Sequence, residues 1–196
     1  MQRKTSQGRG KAVWGARIAL VAMAIGASSC SETIRTGQAS SYLVITTLTG
    51  GAQSDTTVES DVLSDDGTVF TDVGQVALQL QMKDPGGFAP SPVNSITLTQ
   101  YHVEYIRSDG HNTPGVDVPF PFSSGVTTTI AGTGSVGFTL VRIQAKEESP
   151  LRALRRGGGA GVISTIARIT FFGHDQTGRE VSVTGNLDVT FADWAG

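Results

Sequence analysis

The chain has 196 residues, with 17 acidic residues against 15 Lys and Arg, a formal net charge of −2 and a single cysteine. One cysteine excludes an intramolecular disulfide and a metal cluster of the cysteine type. The length is sufficient for one domain to bury a core of its own.

The first 30 residues divide into a basic part, an apolar part and an exit of small residues. Five Lys and Arg precede the apolar run at residues 18–27, and no acidic residue occurs before Glu32. The run is too short for a bilayer, which takes about 20 apolar residues. This order is typical of a secretory signal peptide, which we place at residues 1–29.

The leader ends in Ala27, Ser28, Ser29 and Cys30. This ending resembles the lipobox of bacterial lipoproteins, although the family usually has Leu where this chain has Ala27. The resemblance covers residues 1–30 and implies that Cys30 becomes the lipidated first residue of a mature, membrane-held chain. Ser31, where Asp would signal inner-membrane retention, implies the outer membrane of a cell envelope. The alternative is ordinary cleavage, which leaves a secreted or periplasmic soluble protein.

Removal of the leader changes the charge of the protein. All 17 acidic residues follow Cys30 and five of the 15 cationic ones precede it, which leaves ten cations against 17 anions and a net charge near −7. Phosphate backbones attract basic proteins, so this balance excludes nucleic acid as a partner. An anionic membrane surface would repel the domain, so the lipid is the expected membrane contact.

Residues 30–40 hold the lipidated cysteine and a polar, small-residue tether, and residues 41–196 form the folded domain. The β-branched run at residues 42–48 predicts the first strand. Residues 76–82 alternate apolar and polar side chains, which predicts a half-buried strand. A strand end follows at the Asp-Pro-Gly-Gly turn of residues 84–87.

The stretch from residue 95 to 107 changes its alternation midway. Ile96 and Leu98 have one parity, whereas Tyr101, Val103 and Tyr105 have the other. A β-bulge near Thr99 and Gln100 would place both sets on one face. The alternative is a long strand that is covered on both faces at different points.

Further strands are predicted at residues 126–131, 136–146, 162–172 and 180–191. A hairpin loop with Gly178 in the left-handed conformation is predicted between the last two. About eight strands with Gly- and Pro-rich turns indicate an all-β fold, a single antiparallel β-sandwich for which an immunoglobulin-like topology is favoured.

Two motifs invite a ligand. Residues 132–137 match G-x-G-x-x-G, but β-rich sequence continues on both sides, which favours a turn over a dinucleotide site. The acidic cluster of residues 61–72 is a weak calcium candidate, because calcium prefers several carboxylate oxygens and the EF-hand spacing is missing. Its four carboxylates are Asp61, Asp65, Asp66 and Asp72.

No pattern predicts a catalytic residue, a cofactor or a firm metal site. The three histidines, His102, His111 and His174, share no ligand spacing. No G-x-S-x-G elbow occurs. Four side chains lie close together along one loop and its preceding strand, but nothing in the sequence shows that they meet: Glu104, Asp109, His111 and Asp117.

Arg152, Arg155 and Arg156 precede a glycine-rich run at residues 157–161. Three arginines in an acidic domain are a candidate contact for a partner or an anion. The alternative is a solvated loop between two strands.

Two functions follow from these patterns. The first is a non-enzymatic envelope lipoprotein whose β-sandwich binds a protein or glycan partner or has a structural role. The second is an exported hydrolase or carbohydrate-active domain that uses loop carboxylates, an expectation that rests on fold analogy alone.

Overall fold

The computed structural model describes residues 37–50, 56–84, 86, 89–156 and 161–194. The chain divides into two units, Met1–Gln38 and Ala39–Gly196. Nearly all of the first unit, including Cys30, lies outside the described residues. The structure below is that of the second unit.

Strands dominate the described part of the chain, which confirms the all-β prediction. A five-residue helix α1 (Ile143–Glu147) and two 3₁₀ turns (Pro92–Asn94 and Leu151–Leu154) accompany them. The eight described strands are β1 (Ser41–Gly50), β2 (Thr57–Asp61), β3 (Asp72–Met82), β4 (Ile96–Ile106), β5 (Phe122–Ile130), β6 (Thr133–Val141), β7 (Ile163–Asp175) and β8 (Glu180–Ala192).

The strands form two sheets, with the orders β1-β3-β6 and β2-β8-β7-β4-β5. Neighbouring strands are antiparallel except β2 and β8, which run parallel. The expectation of a wholly antiparallel sandwich is therefore wrong at this pair. The physical reason is that β2 and β8 are not joined by a short connection. A two-residue hairpin allows only an antiparallel pair, whereas β2 lies between two strands of the other sheet in the chain and reaches β8 as a separate segment.

The core lies between the two sheets and contains an aromatic cluster. Tyr101 and Phe171 come from the five-stranded sheet and Phe138 from the three-stranded one. The Phe138 and Phe171 ring centroids lie 5.4 Å apart at 83°, an edge-to-face contact that adds to the burial of apolar area. The contacts between these rings join the two sheets at this point of the core.

The predicted bulge in β4 is confirmed. The register of β4 shifts between Leu98 and Gln100 against both of its neighbours, β5 and β7. As a result Leu98 and Tyr101, of opposite parity in the sequence, are both buried. The strand therefore keeps one inward face, and the alternative of two covered faces is wrong.

The strand predicted at residues 136–146 is too long. Strand β6 ends at Val141, where consecutive Leu140 and Val141 are both fully buried, which an alternating strand does not allow. Helix α1 follows and turns Lys146 into the interior. The short, charged β2 was not predicted, because its single partner is β8, more than 100 residues away.

The hairpin between β7 and β8 agrees with its prediction. Gly178 has φ 80°, in the left-handed region that glycine adopts without strain. The Asp175 carboxylate accepts hydrogen bonds from the N–H groups of Thr177 and Arg179, which closes the loop.

A buried ion pair joins the two sheets at one end of the sandwich. Lys146, only 1% exposed, donates from Nζ to the Asp61 carbonyl oxygen at 2.7 Å and to Asp72 Oδ1 at 3.1 Å. Ser60 Oγ donates to the other Asp72 oxygen at 2.5 Å. These hydrogen bonds connect the end of β2, the start of β3 and helix α1. The Lys146 ammonium and both Asp72 carboxylate oxygens therefore each have a partner.

Replacing Lys146 by Met should strongly destabilise the protein. The substitution fills the space but removes the cation beside the Asp72 carboxylate, which keeps only the Ser60 hydroxyl, and removes the Nζ donor to the Asp61 carbonyl. Loss of one partner of a buried pair costs about 3–5 kcal/mol. Urea unfolding of the wild type and the variant measures the change.

The matched control is Arg168→Met. Arg168 pairs with Glu104 at 2.9 Å, but both side chains are well exposed, at 49% and 39%. Exposed pairs contribute about 0–1 kcal/mol. Equal losses in the two variants would contradict the structural role of Lys146.

Candidate functional site

A cleft of about 560 Å³ opens at the side of the sandwich where β5 and β6 separate. Three of its lining residues are glycines, two are aromatic, and none carries a charge. The lining comes from four strands and comprises Val73, Gly74, Gln75, Tyr101, Ser124, Gly125, Gly137, Phe138 and Thr139.

The cleft follows from the connection between β5 and β6. Only residues 131 and 132 join the two strands, yet β5 pairs with β4 in one sheet and β6 pairs with β3 in the other. The strands therefore diverge as they leave the turn. Tyr101 and Phe138 lie at the base of this separation, where they belong to the core and are only 3% and 4% exposed.

Gly74 leaves space for the Phe138 ring, whose far end lies over this position of β3. A Cβ atom at this position would come within 2.4 Å of the Phe138 ring, closer than any real contact. Gly74 therefore serves to seat Phe138, and any side chain there would displace the ring.

Two tyrosines of β4 bond to the backbone of β6 across the interior. The Tyr101 hydroxyl accepts the Thr139 N–H at 3.0 Å, and the Tyr105 hydroxyl donates to the Leu140 carbonyl at 2.6 Å. Burial raises the pKa of Tyr105 far above its ordinary value, and the negative charge of Asp72 raises it further. Tyr105 therefore remains a neutral donor, and one end of the β6 edge is closed by side chains of the opposite sheet.

The rest of the β6 edge has no neighbouring strand among the described residues, and of its outward-facing residues Gly137 lines the cleft. The Leu80 N–H donates to the Gly132 carbonyl at 2.7 Å, so Leu80 and Gly132 form a hydrogen-bonded pair. With the register of β3 and β6, this pair identifies every second residue of β6 from Gly132 onward as bonded to β3. Because the bonded pairs alternate along an antiparallel ladder, Thr133, Ser135 and Gly137 direct their N–H and C=O groups away from β3. Thr139, of the same parity, bonds outward to Tyr101 as this assignment requires. No hydrogen bond reaches the other three outward-facing groups within the described residues.

The loop between β4 and β5 satisfies its own charges. Arg107 donates to both carboxylate oxygens of Asp109, and this contact together with the His111 N–H lowers the pKa of Asp109 to about 2. Asp117 accepts the Thr113 N–H at 3.0 Å, and this bond lowers the pKa of Asp117. These carboxylates remain ionised in neutral solution and hold turns together.

The four side chains weighed as an acid–base set are not brought together. Glu104 lies on the outer face of β4 and pairs with Arg168 at 2.9 Å. Asp109 and His111 approach within 3.6 Å, but both are solvent-exposed. Asp117 is engaged in its own turn. No nucleophile is placed between them by any contact of the described residues.

The histidines occupy separate places. His102 Nδ1 lies 2.9 Å from Ser123 Oγ on the outer sheet face, and His174 Nδ1 lies 3.0 Å from the Asp175 carbonyl oxygen. In the described ranges no group of three or more His, Cys, Asp or Glu side chains is arranged to hold a metal ion.

The acidic residues of the calcium candidate have other partners. Asp61 accepts the Leu63 N–H at 3.3 Å, and Asp66 accepts the Thr68 N–H at 2.8 Å, which lowers the pKa of Asp66. Asp65 is exposed, and Asp72 belongs to the buried Lys146 pair. The structure thus separates the four carboxylates.

The arginine candidates differ in their surroundings. Arg155 makes a two-bond contact with Glu147, at 2.7 and 3.1 Å, which lowers the pKa of Glu147. The side chains of Arg152 and Arg156 are exposed, and the Arg156 N–H donates to the Asp193 carboxylate. Of the three arginines, only Arg152 and Arg156 therefore have exposed guanidinium groups that could bind a partner or an anion. Residues 157–160 of the glycine run lie outside the described residues.

The G-x-G-x-x-G stretch forms the turn before β6 and the first half of that strand. Its glycines border a sheet edge and precede no helix that could receive a pyrophosphate. Of the six residues only Gly132 lies in the turn and the other five belong to β6, so the turn interpretation holds for the first residue alone. The motif's position beside the cleft was not predicted.

A scan against models of protein families and a search of curated proteins both find no match. Among the described residues, no helix has the length and apolar character needed to cross a membrane. The site therefore has to be interpreted from its own chemistry.

Replacing Tyr105 by Phe should destabilise the protein by about 1–3 kcal/mol, the usual cost of leaving a buried carbonyl unpaired. The Leu140 carbonyl loses its donor while the ring remains in place. Tyr42→Phe is the control, because Tyr42 is 42% exposed. Chemical denaturation distinguishes them, and indistinguishable midpoints would refute the role of this bond.

Replacing Arg107 by Ala should raise the pKa of Asp109 from about 2 toward the ordinary value of about 3.9. The lowered pKa stabilises the folded loop above pH 4 and that contribution is lost as the pH falls toward 2. Carboxyl carbon NMR titration measures both proteins. An unchanged titration of Asp109 in the variant would show that the pair does not control its charge.

Proposed function

We propose that this chain is an exported, lipid-anchored binding module whose β-sandwich receives a partner in the cleft between β5 and β6. The observation that carries the proposal is the chemistry of the cleft lining. It offers glycines, two aromatic rings and neutral polar groups, and includes no Asp, Glu, His, Lys or Arg. Such a lining holds a ligand by shape and hydrogen bonds.

The same lining favours binding over hydrolysis. A hydrolase needs a nucleophile or an activated water with a nearby base. The hydroxyls that line the cleft are those of Tyr101, Ser124 and Thr139, and Tyr101 already accepts the Thr139 N–H. The loop carboxylates of the enzyme alternative are bonded into turns elsewhere.

The strand order supports an immunoglobulin-like topology for the module. The first part of the chain contributes β1 to one sheet and β2 to the edge of the other, beside the last strand. In the larger sheet, with the order β2-β8-β7-β4-β5, strand β7 is central and β8 and β4 flank it. Domains of this architecture commonly present edges and loops to partners.

The anchor rests on the leader and on the single Cys30. Two or more acyl chains give stable membrane attachment, because each buried CH₂ contributes about 0.8 kcal/mol. The expected location is the cell envelope, at the outer membrane where the host has one. The mature charge near −7 keeps the domain off an anionic lipid surface.

Mass spectrometry of the mature N-terminus tests the anchor. We expect acyl mass on Cys30 and partition of the protein into membranes, and the Cys30→Ala variant should be recovered in the soluble fraction. Ser29→Ala is the control, because a small residue remains before the cysteine. An unmodified mature chain that begins elsewhere would overturn the anchor.

A further inference from the structure

We propose that the cleft binds an extended, uncharged peptide segment of another protein, which adds as a strand to the free edge of β6. The inference rests on the proposed binding function and names its ligand class. Outward-facing backbone groups at Thr133, Ser135 and Gly137 provide the hydrogen bonds. Adding a strand to an unpaired sheet edge is a general mode of peptide recognition.

Neither strand beside the cleft carries the usual protection against strand addition. Proteins commonly guard sheet edges with charged residues or proline. The sequences of β5 (FSSGVTTTI) and β6 (TGSVGFTLV) contain no charged residue and no proline. The opposite edge of the same sheet is different, because Ile45 and Leu48 of β1 pack toward Gly185 of β8.

The glycines provide room for a second backbone. Gly125 has no atom within 4 Å of the position a Cβ would take, and Gly137 has only the Gly74 carbonyl oxygen, at 3.8 Å. Gly125 pairs with the exposed Gln100 and Gly137 with the exposed Gln75, so a Cβ at either position would point to the outer face of its sheet. A strand at the usual spacing of about 4.8 Å from β6 meets no side chain from either residue.

The lining also determines which side chains the peptide carries. A charged side chain over Tyr101 and Phe138 would lose hydration and find no counter-ion in the lining. Small, aliphatic or aromatic residues at alternate positions would cover Val73, which is 53% exposed at the rim of the cleft. The expected ligand is therefore an alternating, uncharged segment.

A single extended chain fits this edge better than a second folded copy. The last residues of β5 lie beside the start of this edge, because only residues 131 and 132 separate the two strands. Two copies paired through β6 would each have to accommodate the β5 strand of the other. The net charge near −7 on each mature chain adds repulsion between copies.

The test is selection of a random linear dodecapeptide library on phage against the immobilised mature chain. A selected peptide is then synthesised with a fluorophore and titrated against the wild type and three variants. Ser124→Trp fills the cleft, because Ser124 lines it and pairs with the buried Tyr101, so its side chain faces inward. Ser135→Pro removes an N–H that points away from β3, so the ladder with β3 is kept. Gly132→Trp is the control, since Gly132 also has open space but does not line the cleft.

We expect Ser124→Trp and Ser135→Pro to weaken peptide binding by about tenfold or more, the equivalent of steric exclusion or of one lost hydrogen bond. Gly132→Trp should remain within about twofold, and unfolding midpoints of all variants verify that they are folded. N-methylation of every second peptide amide should abolish binding when it blocks the amides that face β6, and should leave binding intact when it blocks the others. No enrichment, or equal binding by Ser124→Trp, would overturn the proposal.

Two further outcomes separate this inference from the proposed function. The same four proteins are applied to a glycan array and to sedimentation analysis. Glycan binding that Ser124→Trp abolishes would overturn the peptide ligand but keep the binding module. A wild-type dimer that the same variant dissociates would assign the edge to self-association. Failure of peptide and glycan binding together would remove both the ligand and the proposed function.

Discussion

The buried contact between Lys146 and Asp72 is the constraint on which this end of the sandwich depends. A lysine that is 1% exposed is tolerated only because its ammonium group has a carboxylate and a carbonyl oxygen within 3.1 Å. Those acceptors belong to β3 and to the end of β2, and the lysine belongs to α1. One side chain thus fixes where β6 must end, where β2 joins the larger sheet and how far apart the two sheets lie.

The tyrosines of β4 extend the same principle to the middle of the sandwich. Tyr101 and Tyr105 bond to consecutive residues of β6, Thr139 and Leu140, from the opposite sheet. Inter-sheet hydrogen bonds at this point take the place of a neighbouring strand. They close the edge of β6 near Lys146 and leave it open toward the turn, so the cleft has one closed end and one accessible side.

Alternation in the sequence predicted the parts of the fold that are governed by local burial. It located β8, and it found the bulge in β4 from the change of parity at Thr99 and Gln100. It failed where a distant contact decides the outcome: Lys146 was placed in a strand, and β2 was missed because only β8 stabilises it. The cleft has no sequence signature, since its lining comes from four strands that topology alone brings together. Gly125 and Gly137, unfavourable within strands, were the available signal.

An uncharged edge in an acidic protein poses a physical problem that the structure itself answers. Open edges template aggregation unless charge, twist or cover prevents it. Here the protection is indirect: apart from Asp72, Asp175 and Asp193, the described acidic residues lie on loops and outer faces, and they repel other copies over about 8 Å at physiological salt. A neutral peptide is not repelled, and β5 shields the edge from a bulky sheet while admitting one extended chain. Selectivity for a neutral, unfolded segment therefore arises from the same features that keep the folded domain apart from its own copies.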